Sequence, residues 1–289
     1  MADLGRCHRA GYAVAFDLHG PPDGAPLLLL HSLGTCRAMW DAQLPALADR
    51  RVLRLDWPGH GGSTLPPDEQ TLSLDTLLDD VLAVLDQVGW AGAAVAGLSL
   101  GGMVALALAA RHPARCHRLV VSNAGAHIAD PAILARRLAL LGQVGLEGIA
   151  DDVLAGWFSA DFRHQQPDQV ALARRWLLAC GAASYARCAR AVCACDLRPE
   201  LPCIRCPATL ISGSADRPTP PAWQQAIATA IPGARHLTVP AAHLANLEAA
   251  PAYTAALLAG LPEPRAGMRI SQQPGWRSRA GSGRCEGPV

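Results

Sequence analysis

The chain has 289 residues, with 25 basic and 24 acidic side chains, a net charge of +1, and 51% hydrophobic against 17% charged residues. That length suits one domain, or one domain carrying a large insertion, and the apolar fraction supports a sizeable core, which excludes disorder for most of the chain. Balanced charge argues against a nucleic-acid binder, which would carry a basic excess to neutralise phosphates. Every basic residue is arginine, so no step can use a lysine Schiff base or a phosphate-binding lysine.

The opening segment has no apolar core of a secretory signal, so a cytoplasmic chain is expected. It reads as a hairpin with residues 11–18 as second arm, turned at Gly20-Pro-Pro-Asp-Gly24. Residues 27–30 are apolar on both faces, as a central strand of a parallel sheet requires. Residues 39–48 are helix-like, and 52–56 form the next strand. Leu74, Leu77, Leu78, Val81, Leu82 and Leu85 recur at helical spacing and predict a helix over 74–88. A strand over 93–96, a helix over 100–111 and a strand over 119–122 follow. The uncharged run 88–110 is long enough to suggest a membrane span. Five glycines interrupt it, so a buried strand, a tight turn and a buried helix explain it better.

This alternation predicts an α/β fold with a doubly wound, mostly parallel sheet and helices on both faces. It breaks after Asn123. Residues 133–144, 148–158, 170–180 and 185–195 read as four helices, an all-helical cap over the sheet. Strands resume at 208–211 and 237–239, and a last helix spans 252–261. The expected organisation is a core over 1–124, a cap over 125–200, the rest of the core over 201–262, and a disordered tail rich in Gly, Pro, Ser and Arg over 263–289.

Six of the ten cysteines fall between Cys180 and Cys206. Cys193-Ala-Cys195 and Cys203-Ile-Arg-Cys206 have thiolate spacing that could serve zinc. The second pair leads straight into an apolar run, which suits small buried side chains better. No metal or organic cofactor is expected.

Gly97-Leu-Ser-Leu-Gly101 matches the pattern G-x-S-x-G, weak alone but strengthened by the strand before it and the helix after it. A serine hydroxyl needs a base to take its proton. On such a sheet the acid and base follow in the order Ser, Asp, His. Ser99 is then the expected nucleophile. Asp216, after the strand over 208–211, is the expected acid, and His243, after the strand over 237–239, the base. The backbone amides of Leu33 and Leu100 are the expected oxyanion donors. His31 is expected to brace its loop, His60 to stabilise a turn, and Asp56 to be structural.

The segments LLLLHSLGT, LDWPGHGGS, VAGLSLGGMVALALAARHP, RLVVSNAGA, DLRPEL and AAHLANLE, in this order, resemble the 3-oxoadipate enol-lactonases of the α/β-hydrolase fold over residues 10–261. The cap phrase Gly156-Trp157-Phe158 is similar as well. The resemblance implies hydrolysis of a small enol-lactone in aromatic-acid degradation, the nucleophile, acid and base falling on Ser99, Asp216 and His243, and the oxyanion amides on Leu33 and Leu100. One segment departs. Ala124-Gly125-Ala126-His127 stands where that family leads one to expect two alanines and then Arg or Lys. The charge that would meet a substrate carboxylate then falls to His127, or to Arg136 and Arg137 in the cap. Trp157 joins His127 and Arg136 as a candidate for substrate binding. The expected partner is a small, carboxylate-bearing lactone or ester, not nucleic acid or membrane. Another carboxylic-ester or C–C bond hydrolase of the same fold, or a non-catalytic ligand-binding relative, are the competing readings.

Overall fold

The computed structural model describes residues 2–67, 72–128 and 131–263. All but one residue of the expected tail, Glu263, therefore lies outside the described residues. β1 (Asp3–Arg9) and β2 (Tyr12–His19) form an antiparallel hairpin, and β2 also runs antiparallel to β4 (Arg50–Leu55). The strands β4, β3 (Ala25–Leu30), β5 (Ala93–Leu98), β6 (Cys116–Ser122), β7 (Ala208–Gly213) and β8 (Arg235–Val239) are parallel neighbours in that order. The complete order is β1-β2-β4-β3-β5-β6-β7-β8. The hairpin closes at Ala10-Gly11. The turn at Gly20–Gly24 instead carries the chain from β2 to β3, closed by the Gly24 N–H on the Pro21 carbonyl at 3.0 Å.

The apolar runs split cleanly between the two faces. Leu28, Leu30, Val95, Leu119 and Val121 face one core; Leu27, Leu29, Ala94, Ala96 and Val120 face the other. Alternate side chains of a strand point to opposite faces, so a strand buried on both sides must be apolar throughout. The first core is covered by α1 (Leu74–Gln87), α2 (Leu100–Arg111) and α6 (Pro221–Ala230). α1 starts at a capping box in which Ser73 Oγ accepts from the Thr76 N–H at 3.1 Å. Its buried face carries Leu74, Leu77, Leu78, Val81 and Leu85, while Leu82 lies half-buried beside it. The second core is covered by α8 (Ala250–Gly260), by the helical block, and by residues 37–47. That last segment, read from the sequence as helix-like, is a 3-10 helix; Pro45 within it has no N–H to give to an α-helical bond.

Between β6 and β7 come α3 (Pro131–Trp157), α4 (Ala160–Gln165) and α5 (Pro167–Cys193). The four helices expected here are the two halves of α3, broken at Gly145, and of α5, broken at Gly181. α4 was not expected; Ser159 caps it, accepting from the Phe162 N–H at 3.2 Å. Nor were α6 and the short α7 (Ala245–Glu248). No helix among the described residues is long and apolar enough to cross a membrane.

Leu28 is fully buried at the centre of the sheet. Leu28→Ala should lower stability by about 2–5 kcal/mol, read from urea unfolding.

Candidate active site

The strand order reverses between β3 and β5, where the chain crosses from one side of β3 to the other. Loops leaving the carboxyl ends of these strands diverge and leave a crevice, the usual ligand position on an open α/β sheet. Ser99 sits there, between β5 and α2, with φ 58° and ψ −118°. This is strained backbone for a residue with a side chain. The Ser99 N–H stays in the ladder, donating to the Ser122 carbonyl at 2.9 Å. The turn is possible because Gly101 lets α2 touch β3. A Cβ at position 101 would stand 2.2 Å from the Leu30 carbonyl oxygen and 2.8 Å from that of His31.

Asp216, in the loop after β7, is almost fully buried and surrounded by donors. The His243 Nδ1 lies 3.0 Å from Oδ2 and 3.1 Å from Oδ1. Thr219 donates its hydroxyl to Oδ2 at 2.6 Å and its N–H to Oδ1 at 3.0 Å. Asn123, at the end of β6, donates its side-chain amide to Oδ2 at 2.7 Å. Burial alone would raise the Asp216 pKa; the facing His243 ring and the hydrogen bonds from it and from Thr219 outweigh it and hold the carboxyl below its ordinary range. Asn123 and Thr219 were not singled out in the sequence. The signal for Asn123 was its place at a strand end beside the two strands that lead to Asp216 and Ser99.

His243 lies in the loop after β8, and its neighbours in the AAHLANLE segment fix that loop. Glu248 accepts from the Ala242 N–H at 3.1 Å and from the Ser159 N–H at 3.2 Å. The Leu244 N–H donates to the Trp157 carbonyl at 3.0 Å. Asn246 donates to the Met39 carbonyl at 2.7 Å. One short segment thus ties the imidazole to the end of α3 and to the 3-10 helix.

Ser99 and His243 line one cavity of about 310 Å³ beneath the helical block. Among the described residues no hydrogen bond joins the Ser99 hydroxyl to the His243 ring. The N–H groups of Leu33 and Leu100 are likewise without a hydrogen-bond partner among the described residues, and Leu33 lines the cavity. Trp157 and Arg137 line it too, as do Tyr185 and the exposed Arg217. Burial pushes the Tyr185 hydroxyl above its ordinary pKa, and the Arg137 guanidinium beside it only partly opposes this. Arg136 and His127 do not line this cavity. Arg136 is exposed, because it falls one position around α3 from Arg137. The His127 ring stacks on the Trp223 indole, centroids 6.3 Å apart, and lines a separate cavity.

The other tempting residues brace the site. His31 holds its loop by donating from Nδ1 to the Ser32 carbonyl at 2.8 Å and accepting the Trp57 N–H on Nε2 at 3.0 Å. His60 Nε2 accepts the Gly34 N–H at 3.1 Å, and its Nδ1 faces the Pro58 carbonyl at 3.0 Å. Both rings have one donor and one acceptor satisfied, which fixes them neutral. Burial lowers the pKa of each, that of His60 to about 4. Asp56 accepts the N–H groups of Arg37 at 2.7 Å and Gly62 at 2.8 Å and pairs with the Arg37 guanidinium. Among the described residues no group of three or more His, Cys, Asp or Glu is placed to hold a metal. The Cys116 and Cys206 sulfurs lie 3.8 Å apart, with no disulfide between them.

The neutral His60 gives stability a defined pH dependence. Its pKa is about 4 folded against 6.5 for the free ring, so the unfolded chain binds the extra proton between those values. Stability is therefore full above about pH 6.5 and falls as pH drops toward 4, by about 3 kcal/mol from this residue. Urea unfolding at pH 7.5 and pH 5 should show a shallower pH dependence for His60→Gln than for the wild type.

A profile of the alpha/beta hydrolase fold matches residues 25–180. The chain is 31% identical over 246 residues to 3-oxoadipate enol-lactonase 2 of Acinetobacter baylyi, covering 85% of this chain and 91% of that protein. The crystal structure of the enol-lactonase from Burkholderia xenovorans LB400 superposes with a TM-score of 0.85 at 36% identity, covering 88% of this chain and 98% of that one. A thermophilic esterase from Thermogutta terrifontis, solved with malate bound, superposes with a TM-score of 0.81 at 26% identity, covering 89% and 97%. The sheet order, the serine on its tight turn and these likenesses together make the chain a member of the α/β-hydrolase family, related to the 3-oxoadipate enol-lactonases.

Proposed function

We propose that this hydrolase opens a small, carboxylate-bearing enol-lactone, of the 3-oxoadipate enol-lactone type, by way of an acyl-enzyme on Ser99. The observation that carries the reading is that Ser99, His243 and Arg137 line one cavity while Asp216 holds the far side of the His243 ring. With Nδ1 committed to Asp216, the remaining nitrogen, Nε2, is the one able to take a proton. Ser99 lines the same cavity as this ring, and a serine–histidine bond of this kind commonly tightens only when substrate binds.

Ser99 Oγ attacks the lactone carbonyl as His243 Nε2 takes its proton, and the carbonyl oxygen takes up negative charge. The amides of Leu33 and Leu100 are the donors for that oxyanion, and the positive end of α2 adds to them. The ring C–O bond then breaks. The leaving group departs as a resonance-stabilised enolate, which takes the proton from His243 and ends as a ketone, so its departure is easy. Water attacks the ester on Ser99 with His243 again as base, and the free acid leaves. Asp216 stabilises the imidazolium in both halves.

Substrate charge is the second part of the reading. Arg137 is half-buried in a lining that is otherwise chiefly apolar, where an ion pair is stronger than in water. Of the residues the sequence offered for this role, His127, Arg136 and Arg137, it is the one that lines the cavity, and it binds the substrate's free carboxylate.

Two measurements test this. Ser99→Ala should lower kcat/KM on the enol-lactone by about 10³-fold or more; residual activity near wild type removes Ser99 as nucleophile. Arg137→Met should raise KM by about tenfold or more for the carboxylate-bearing lactone but not for an uncharged ester; an equal change on both substrates removes Arg137 as the carboxylate partner.

A further inference from the structure

A second cavity of about 250 Å³ shares a lining residue with the first. Among the described residues Trp223 is the one that lines both. We infer that the Trp223 indole is a fixed partition that sets the length of acyl chain the enzyme accepts. This rests on the reading that chemistry occurs at Ser99 in the first cavity.

The indole is held on several sides. Pro220 and Pro221 pre-set the start of α6, and the Trp223 N–H closes a turn onto the Pro220 carbonyl at 2.8 Å. The next residue, Gln224, is buried and donates to the Ala124 carbonyl at 3.0 Å, which anchors α6 to the end of β6. One edge of the indole lies against Gly125. A Cβ there would stand 2.9 Å from Cε3 and 3.2 Å from Cζ3, so only glycine leaves room for the ring. The His127 ring stacks against it, 24° from parallel. A ring gripped in this way is a wall and not a swinging door. His127 therefore acts behind the partition, on the residue that shapes the site, and not on the substrate.

The chamber behind the wall is lined largely by aliphatic groups, among them Ala126, Leu201, Ile227 and Ala230. It suits an alkyl chain. With the wall in place an acyl group must end near Trp223, which favours short substrates. Removing the wall should let a longer chain run through, each buried methylene being worth about fourfold in kcat/KM.

The test compares p-nitrophenyl octanoate with p-nitrophenyl butyrate in wild type, Trp223→Ala, Trp223→Phe, and the double variant Trp223→Ala/Ala230→Phe. The kcat/KM ratio of octanoate to butyrate should rise at least tenfold in Trp223→Ala and much less in Trp223→Phe. The double variant should return toward wild type, because the new phenyl ring fills the chamber. A ratio that stays at the wild-type value in Trp223→Ala overturns the inference. So does an equal rise in the double variant, since the chain would then lie elsewhere. If Trp223→Ala is too unstable to assay, Trp223→Leu carries the same expectation. Ser99→Ala run in parallel separates the two readings. Ester turnover that survives it defeats the assignment of the cavity, and with it this inference, whereas a flat ratio with Ser99-dependent turnover defeats the partition alone.

Discussion

At position 101 an added carbon would stand 2.2 Å from a backbone carbonyl of β3, and at position 97 it would stand 2.1 Å from a backbone oxygen of α2. Both positions hold glycine because helix and sheet backbones touch there. That contact fixes where α2 begins, and hence where its positive end points. It also forces Ser99 into backbone that a side-chain-bearing residue adopts at a cost of about 1–3 kcal/mol. The two cores on either side of the sheet hold the turn closed. If α2 moved outward by the width of a methyl group, Ser99 would leave the crevice, and the rest of the site would surround an empty place.

The second constraint is the carboxylate beneath His243. Asp216 is buried, and an ion taken out of water without partners is very costly. Asn123, Thr219 and His243 supply those partners from three different segments. The same donors that make the charge tolerable also aim it. A contrast comes from within β7 and β8. Ser212 Oγ lies 2.8 Å from His236 Nε2, and His236 Nδ1 lies 2.9 Å from Gln225. That is a serine–histidine pair with tighter contact than Ser99 and His243, yet neither residue lines either cavity. A hydrogen bond between the right residue types is not a site. Access, a strained serine and free amide donors are needed as well.

The helical block does more than cover the sheet. Its α3 ends at Trp157, whose carbonyl holds the loop of His243, and Glu248 on that loop's far side holds the start of α4. The helical block and the His243 loop are thus positioned together. These contacts tie the position of the imidazole to that of the block.

The alternation of strand and helix, the doubly buried strands and the order Ser99, Asp216, His243 were legible in the sequence, because each follows from local chemistry. A strand with two cores is apolar at every position, a tight turn needs glycine, and a strand end carries the next loop. Helix breaks inside the block were also legible, since Gly145 and Gly181 separate apolar repeats. What the sequence could not decide was which arginine faces the cavity, Arg136 or Arg137; one residue on a helix turns a side chain by about 100°, and only packing against the sheet sets the zero of that rotation. Nor could it place His127. That ring follows the strand end closely enough to reach the cavity, but Trp223, nearly a hundred positions later in the chain, stands between. Such placements depend on distant segments meeting, and the tertiary structure alone brings them together.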